Sequence, residues 1–160
     1  NHLYGLKSTG LRFFTVYGPW GRPDMAMYIF ASKITKGIPI QVYNYGKMLR
    51  DFTFIDDIIS GLLSSIQKNY DYEIFNLGNN RSEKLMEVVA HIEDKIGKKA
   101  IIKYEPVQLG DVKETCADID KAIKKLNYSP KTDLSEGIDK FVKWFNEYNG
   151  IFDNEELGLK

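Results

Sequence analysis

Arg22 stands between Gly21 and Pro23 in TVYGPWGRPDMA, residues 15–26, just past an apolar run. Its guanidinium is a planar fork that suits a carboxylate or a phosphate. The flanking glycine and proline restrict the backbone that presents it, although a loop arginine can equally be solvated. Arg50 opens RDFTFIDD (50–57); it reads either as an anion ligand or as an edge-strand cation paired with Asp51 or Asp56. Asp111 follows Gly110 and is by default a turn residue. Tyr17, Trp20 and Tyr43 suit a core or a stacking surface. Tyr43 and Lys47 in YNYGK have the spacing of a proton-transfer pair. That spacing converges on a helix, whereas Asn44 and Gly46 put it in a turn between strands, so the two are not expected to act together.

Other chemistries find less support. The chain has 22 Lys and Arg against 22 Asp and Glu among 160 residues. A net charge of zero gives no general attraction to nucleic acid or to an anionic membrane, so an anion must be held by local groups. The single Cys116 excludes an internal disulfide and a cysteine zinc site, and fits a reducing cytoplasm. His2 and His91 lie far apart in sequence, which argues against a metal pair. No apolar run approaches the ~20 residues of a membrane span. No G-x-G-x-x-G fingerprint follows a strand, and no P-loop occurs.

The elements that must position these residues alternate. GLRFFTVYG (10–18) is nearly continuous in apolar residues, as in a parallel strand buried on both faces. Asp24 is a plausible N-cap for a helix over 25–36 that Gly37 closes. Strands are expected over 38–44 and 49–55, with a turn at 45–48. Asp56 or Asp57 would cap a helix reaching Asn69. A buried-type strand follows over 72–80, and Ser82 would cap a helix over 83–96. A strand at 100–106 and a loop at 109–118 precede amphipathic helices over 118–128 and 134–148. Ile138, Phe141, Val142 and Phe145 recur at helical spacing. The tail 150–160 reads as loosely held. Interleaved strands and helices without repeats predict an α/β or α+β domain.

Four colinear segments carry a resemblance: TGLRFFTVYGPWGRPDMA (9–26), GKMLRDFTFIDDIISG (46–61), FNLGNN (75–80) and QLGDVKETCADI (108–119). They resemble the C-terminal half of extended short-chain dehydrogenases/reductases, NAD-dependent nucleotide-sugar epimerases and dehydratases, and are most similar to UDP-glucuronate 4-epimerases. The resemblance implies a single truncated unit over 1–160: the last parallel strands of an NAD-binding Rossmann fold (about 10–18 and 72–78) plus the small α/β substrate-binding domain. It implies that Thr15 and Arg22 clamp the sugar carboxylate, that Gln41 and Tyr43 line the uracil pocket, that Arg50 contacts the diphosphate, and that Asp111 lies near the ribose hydroxyls. Gln108 departs from the arginine that several relatives carry three residues before that aspartate. The family's chemistry is transient oxidation at the sugar C4 with NAD. Its glycine-rich βαβ unit and helical Tyr-x-x-x-Lys pair are not in this sequence and are expected upstream of Asn1, so the chain is expected to be inactive alone. The resemblance further implies a UDP-sugar ligand, a role in polysaccharide biosynthesis, and a homodimer when full length. A 4,6-dehydratase or decarboxylase of the same family, or a non-catalytic UDP-sugar-binding module, are the alternatives.

Overall fold

A computed structural model of the chain describes residues 1–152, with side chains through Tyr148. Eight short strands alternate with five α-helices, as expected for an α/β chain. β1 (Ser8–Phe13) lies parallel to β6 (Tyr72–Leu77), so strands within the expected ranges 10–18 and 72–78 pair side by side. The apolar run is not one strand, however. Phe14 interrupts it: its N–H donates to the Leu77 carbonyl, whereas the next N–H, of Thr15, donates to the Asp51 carbonyl. The chain thereby leaves β6, and β2 (Thr15–Tyr17) pairs in parallel with β5 (Phe52–Phe54). β3 (Ile40–Val42) pairs with β8 (Ile102–Tyr104), and β4 (Leu49–Arg50) pairs antiparallel with β7 (Glu83–Lys84).

β1 also departs from the reading as a strand buried on both faces. Among the described residues its sheet has only two strands, and Gly10, Arg12 and Phe13 are exposed. Leu3, Tyr4, Leu6 and Tyr72 are exposed beside them in sequence or register. α2 (Ile55–Lys68) presents Ile59, Leu63 and Ile66 to the surface.

Helix ends corrected three expectations. Asp24 does not cap α1 (Ala26–Lys36); Met25 holds that position with no side-chain cap, and Asp24 is drawn instead to Arg22. α2 begins after Phe54, so Asp56 and Asp57 lie in its first turn. There they face the positive end of the helix dipole. The Asp57 carboxylate accepts from the N–H groups of Lys131 and Thr132 and ties down the approach to α5 (Leu134–Phe152). Ser82 does not cap α3 (Leu85–Ile96); its hydroxyl donates to the Thr115 carbonyl. Gly37 does close α1, at a left-handed φ of 66° that suits glycine. α4 spans Asp120–Leu126. α5 continues into the stretch read as a tail; residues 153–160 of that stretch lie outside the described residues.

Two apolar clusters result. The larger packs α1, α3 and α5 around β2, β3 and β5, with Phe30, Ile34, Ile92, Ile138, Phe141 and Phe145 at its heart. The smaller gathers Ile58, Phe75, Leu77, Leu126 and Tyr128 between α2, α4 and β6. Asp51 sits between β4 and β5, fully buried at 0% exposure. Its carboxylate accepts from the Thr53 hydroxyl, the Asn79 N–H and the Ala117 N–H. A buried carboxylate is tolerated where donors replace its lost water. Gly78 is required beside it, because a Cβ there would lie 2.3 Å from that of Ala117.

Two stability predictions follow from these ties. Asp51→Ala leaves buried donors without an acceptor and should cost about 3 kcal/mol or more, read as a lower urea midpoint. On β6, Glu73 is gripped by Lys121 and Lys125 of α4. Their hydrogen bonds, Lys121 first, lower its pKa from 4.5 to about 2. A carboxyl depressed in the folded state contributes stability that is complete above its unfolded pKa and is lost as pH falls through the folded value. Between about pH 4.5 and pH 2, urea midpoints should therefore fall less steeply in Glu73→Gln than in the parent.

Candidate functional site

Apart from Arg22, the residues that suggested anion and base recognition converge on one cavity of about 410 Å³. One wall is a face of α1. Ala26, Ile29, Phe30 and Lys33 recur at i, i+3, i+4 and i+7 and all line it. The opposite walls carry Thr15 from β2, Gln41 from β3, Tyr43 just after it, Arg50 from β4 and Asp111 from the loop that follows β8. Met48, Phe52 and Leu85 supply apolar surface between the polar groups. A largely apolar cavity with a few convergent polar groups is the usual form of a small-molecule site.

Local structure explains how each group arrives. Thr15 is fixed at the strand exchange, where its N–H is bound to the Asp51 carbonyl. Tyr43 opens a short 3₁₀ turn, Tyr43–Gly46, in which Asn44 and Tyr45 adopt positive φ. That turn points Tyr43 into the cavity, while Lys47 is exposed and outside its lining. The Tyr-x-x-x-Lys spacing thus forms no proton-transfer pair. Arg50 donates one guanidinium N–H to the Leu49 carbonyl at 2.8 Å and another to Asp111 at 2.7 Å. Neither Asp51 nor Asp56 is its partner. Its side chain is 16% exposed against 35% for Asp111, so the pair is only partly screened by water. Asp111 arrives through a turn closed by its own N–H on the Gln108 carbonyl, with Gly110 at φ 83°. Gln108 is exposed and outside the lining.

Arg22 stands apart from the other sequence candidates. It is not in the cavity wall; its side chain is 73% exposed and pairs with Asp24 at 3.3 Å. Asp24 does line the cavity, so the guanidinium is one side chain removed from it. The loop carrying Arg22 is seated by Trp20, which takes a positive φ of 62° and packs its ring on Trp144 and Tyr148 of α5. Trp20 is 77% exposed, whereas Tyr17 is core at 4%. Burial pushes the Tyr17 hydroxyl pKa well above its usual value, with Asp57 adding to it.

Sequence reasoning missed Lys33 and Asp51. The i, i+3, i+4, i+7 relation of Lys33 to Ala26, Ile29 and Phe30 was available as a signal; nothing local marked Asp51 as a buried acceptor. Among the described residues no group of three or more His, Cys, Asp or Glu side chains suits a metal ion. No described helix is long and apolar enough to cross a membrane.

Residues 1–78 match the NAD dependent epimerase/dehydratase family. A protein of unassigned function from Methanocaldococcus jannaschii is 54% identical over 92% of this chain and 45% of its own length. UDP-glucuronate 4-epimerase 4 of Arabidopsis thaliana is 42% identical over 92% of this chain and 38% of its own. Among solved structures, UDP-glucuronic acid 4-epimerase from Bacillus cereus, in complex with UDP-glucuronic acid and NAD, superposes with a TM-score of 0.81 at 34% identity, covering 86% of this chain and 45% of that one. The chain spans about half the length, or less, of the curated relatives it matches. Over the span they share, the chain is similar in sequence and in fold to the NAD dependent epimerase/dehydratase family.

Proposed function

We propose that the chain is the nucleotide-sugar-binding part of an NAD-dependent UDP-sugar epimerase that interconverts UDP-glucuronate and UDP-galacturonate through transient oxidation at C4. The observation that carries this reading is the gathering of Thr15, Gln41, Tyr43, Arg50 and Asp111 around one cavity, from four separate parts of the sequence. Their chemistry suits the ligand. Arg50 presents a guanidinium already oriented by Asp111 and the Leu49 carbonyl, with donors left for a diphosphate. Tyr43 offers a ring face to a base, and Asp111 offers acceptors to ribose hydroxyls. The relatives named for UDP-glucuronate, and the B. cereus complex with that ligand, support the choice of sugar.

In this reading Thr15 and Arg22 receive the sugar carboxylate. Arg22 then exchanges Asp24 for the ligand. An exposed ion pair of this kind contributes on the order of 0–1 kcal/mol, so the exchange is cheap beside a contact with the bound acid.

Bound NAD would supply a reversible hydride acceptor for the C4 carbon. The described residues form no cradle for it. The turn after the parallel strand β6 is already occupied: the Asn79 N–H is committed to Asp51, and the space over Gly78 is filled by Ala117. No step through NAD is therefore assigned to these residues, and residues 1–160 alone are expected to show no conversion of UDP-glucuronate; turnover by them would contradict that division of labour.

Calorimetric titration tests the binding role. The chain should bind UDP, and Arg50→Ala should weaken binding by roughly ten- to a hundredfold. A folded chain with no affinity for UDP would overturn the reading. Arg22→Ala should cost UDP-glucuronate about 2 kcal/mol and leave UDP-glucose nearly unchanged. Equal loss for both sugars would remove Arg22 from the carboxylate clamp.

A further inference from the structure

Among the described residues, Lys33 is the one cation in the cavity wall without a carboxylate partner. Arg50 is engaged by Asp111, and the lining carboxylate of Asp24 is engaged by Arg22. Lys33 lines the same cavity, is half-buried, and its side chain has neither hydrogen bond nor ion pair among the described residues. Its backbone is fixed: the Lys33 carbonyl accepts the Ile38 N–H as α1 ends at Gly37. Two residues later the chain enters β3, which carries Gln41.

The cavity therefore has two ends. Along α1, Ala26 and Lys33 are seven residues apart, about 10 Å of helix. Ala26 follows Asp24 and the Arg22 loop, and Lys33 stands near the end of α1, from which the chain runs through Gly37 into β3 and Gln41. Between them the α1 wall is Ile29 and Phe30, which offer nothing to a charged group. The phosphate-type cation, Arg50, belongs to a different wall.

We infer that Lys33 reads the base: its ammonium donates to the C4 carbonyl of a pyrimidine whose ring lies against Tyr43, and so selects uracil over cytosine. This rests on the binding role proposed above and adds a specificity-determining residue to it. The selectivity follows from the donor inventory. A lysine ammonium can only donate, whereas the Gln41 amide can present either its oxygen or its NH₂. Gln41 can adapt to the C4 carbonyl of uracil or to the C4 amino group of cytosine. Lys33 cannot, because the amino group of cytosine also points hydrogens outward. The penalty for cytosine is an ammonium that meets the C4 amino group in a half-buried place and must turn to the ring N3 for an acceptor.

The test compares UDP with CDP, which share ribose and diphosphate and differ at C4. Calorimetry on the parent chain should show a preference for UDP of at least about tenfold, the scale of one hydrogen bond to a charged group. Lys33→Met should bring that ratio close to one while leaving the thermal midpoint nearly unchanged. Lys33→Arg keeps a donor and should retain most of the preference. If Lys33→Met weakens UDP and CDP equally, the ammonium serves the diphosphate and the inference is wrong. If the parent ratio survives Lys33→Met, it is equally wrong. UDP binding that depends on Arg50 but is indifferent to Lys33 would sink this inference alone; no UDP binding by the folded parent would sink the binding role with it.

Discussion

The buried carboxylate of Asp51 is the constraint on which the rest of the arrangement depends. It is the meeting point of three stretches that are remote in sequence: the β4–β5 strand segment, the turn after β6, and the segment entering α4. The backbone of the same residue receives the Thr15 N–H and donates to the Thr115 hydroxyl. Arg50 is its immediate neighbour and Thr15 is bound to it, so two cavity residues are positioned by one fully buried group. Satisfied networks of this kind rigidify and specify a unique arrangement. The two apolar clusters on either side provide most of the driving force for burial, and Asp51 sets the register in which they meet.

The cavity itself is built with few commitments of charge. Arg50 and Asp111 hold each other, Arg22 and Asp24 hold each other further out, and Lys33 is left to a ligand. Apolar side chains from α1, β5 and the start of α3 separate these groups. That separation keeps the cations from repelling one another and, in the proposed function, leaves each to a different part of the nucleotide sugar. The chain's net charge of zero is consistent with recognition that works through a few placed groups rather than through a broad field.

Much of this was legible in the sequence, and the failures are instructive. The parallel neighbours β1 and β6 and the cap at Gly37 could be read from apolar runs and from one glycine. Thr15, Arg50 and Asp111 could be named because the quoted motifs carry them, Gln41 and Tyr43 because the resemblance extends between those motifs, and the fold brings all five to one cavity. Periodicity could not reveal the break at Phe14, since Phe14 is as apolar as its neighbours and only the hydrogen-bond partner changes. Asp24, Asp56 or Asp57, and Ser82 looked like N-caps by residue type. In the fold, Arg22 two residues away takes Asp24, and the distant Lys131 and Thr132 N–H groups and Thr115 carbonyl take Asp57 and Ser82. Local capping rules are weak priors against such long-range bonds. Lys33 was overlooked because a lysine near a helix end is ordinarily solvated.

The strand exchange at Phe14 limits how such a site can move. β1 and β2 are consecutive, and the single residue between them has its own N–H bound to β6 while its successor is bound to Asp51. There is no slack there for a hinge, so the two ladders should turn as one body. Residues 106–112, by contrast, are all exposed and carry Asp111 on a turn with few ties to the cores. The Arg50–Asp111 ion pair is therefore the side-chain tie between this stretch and the cavity wall.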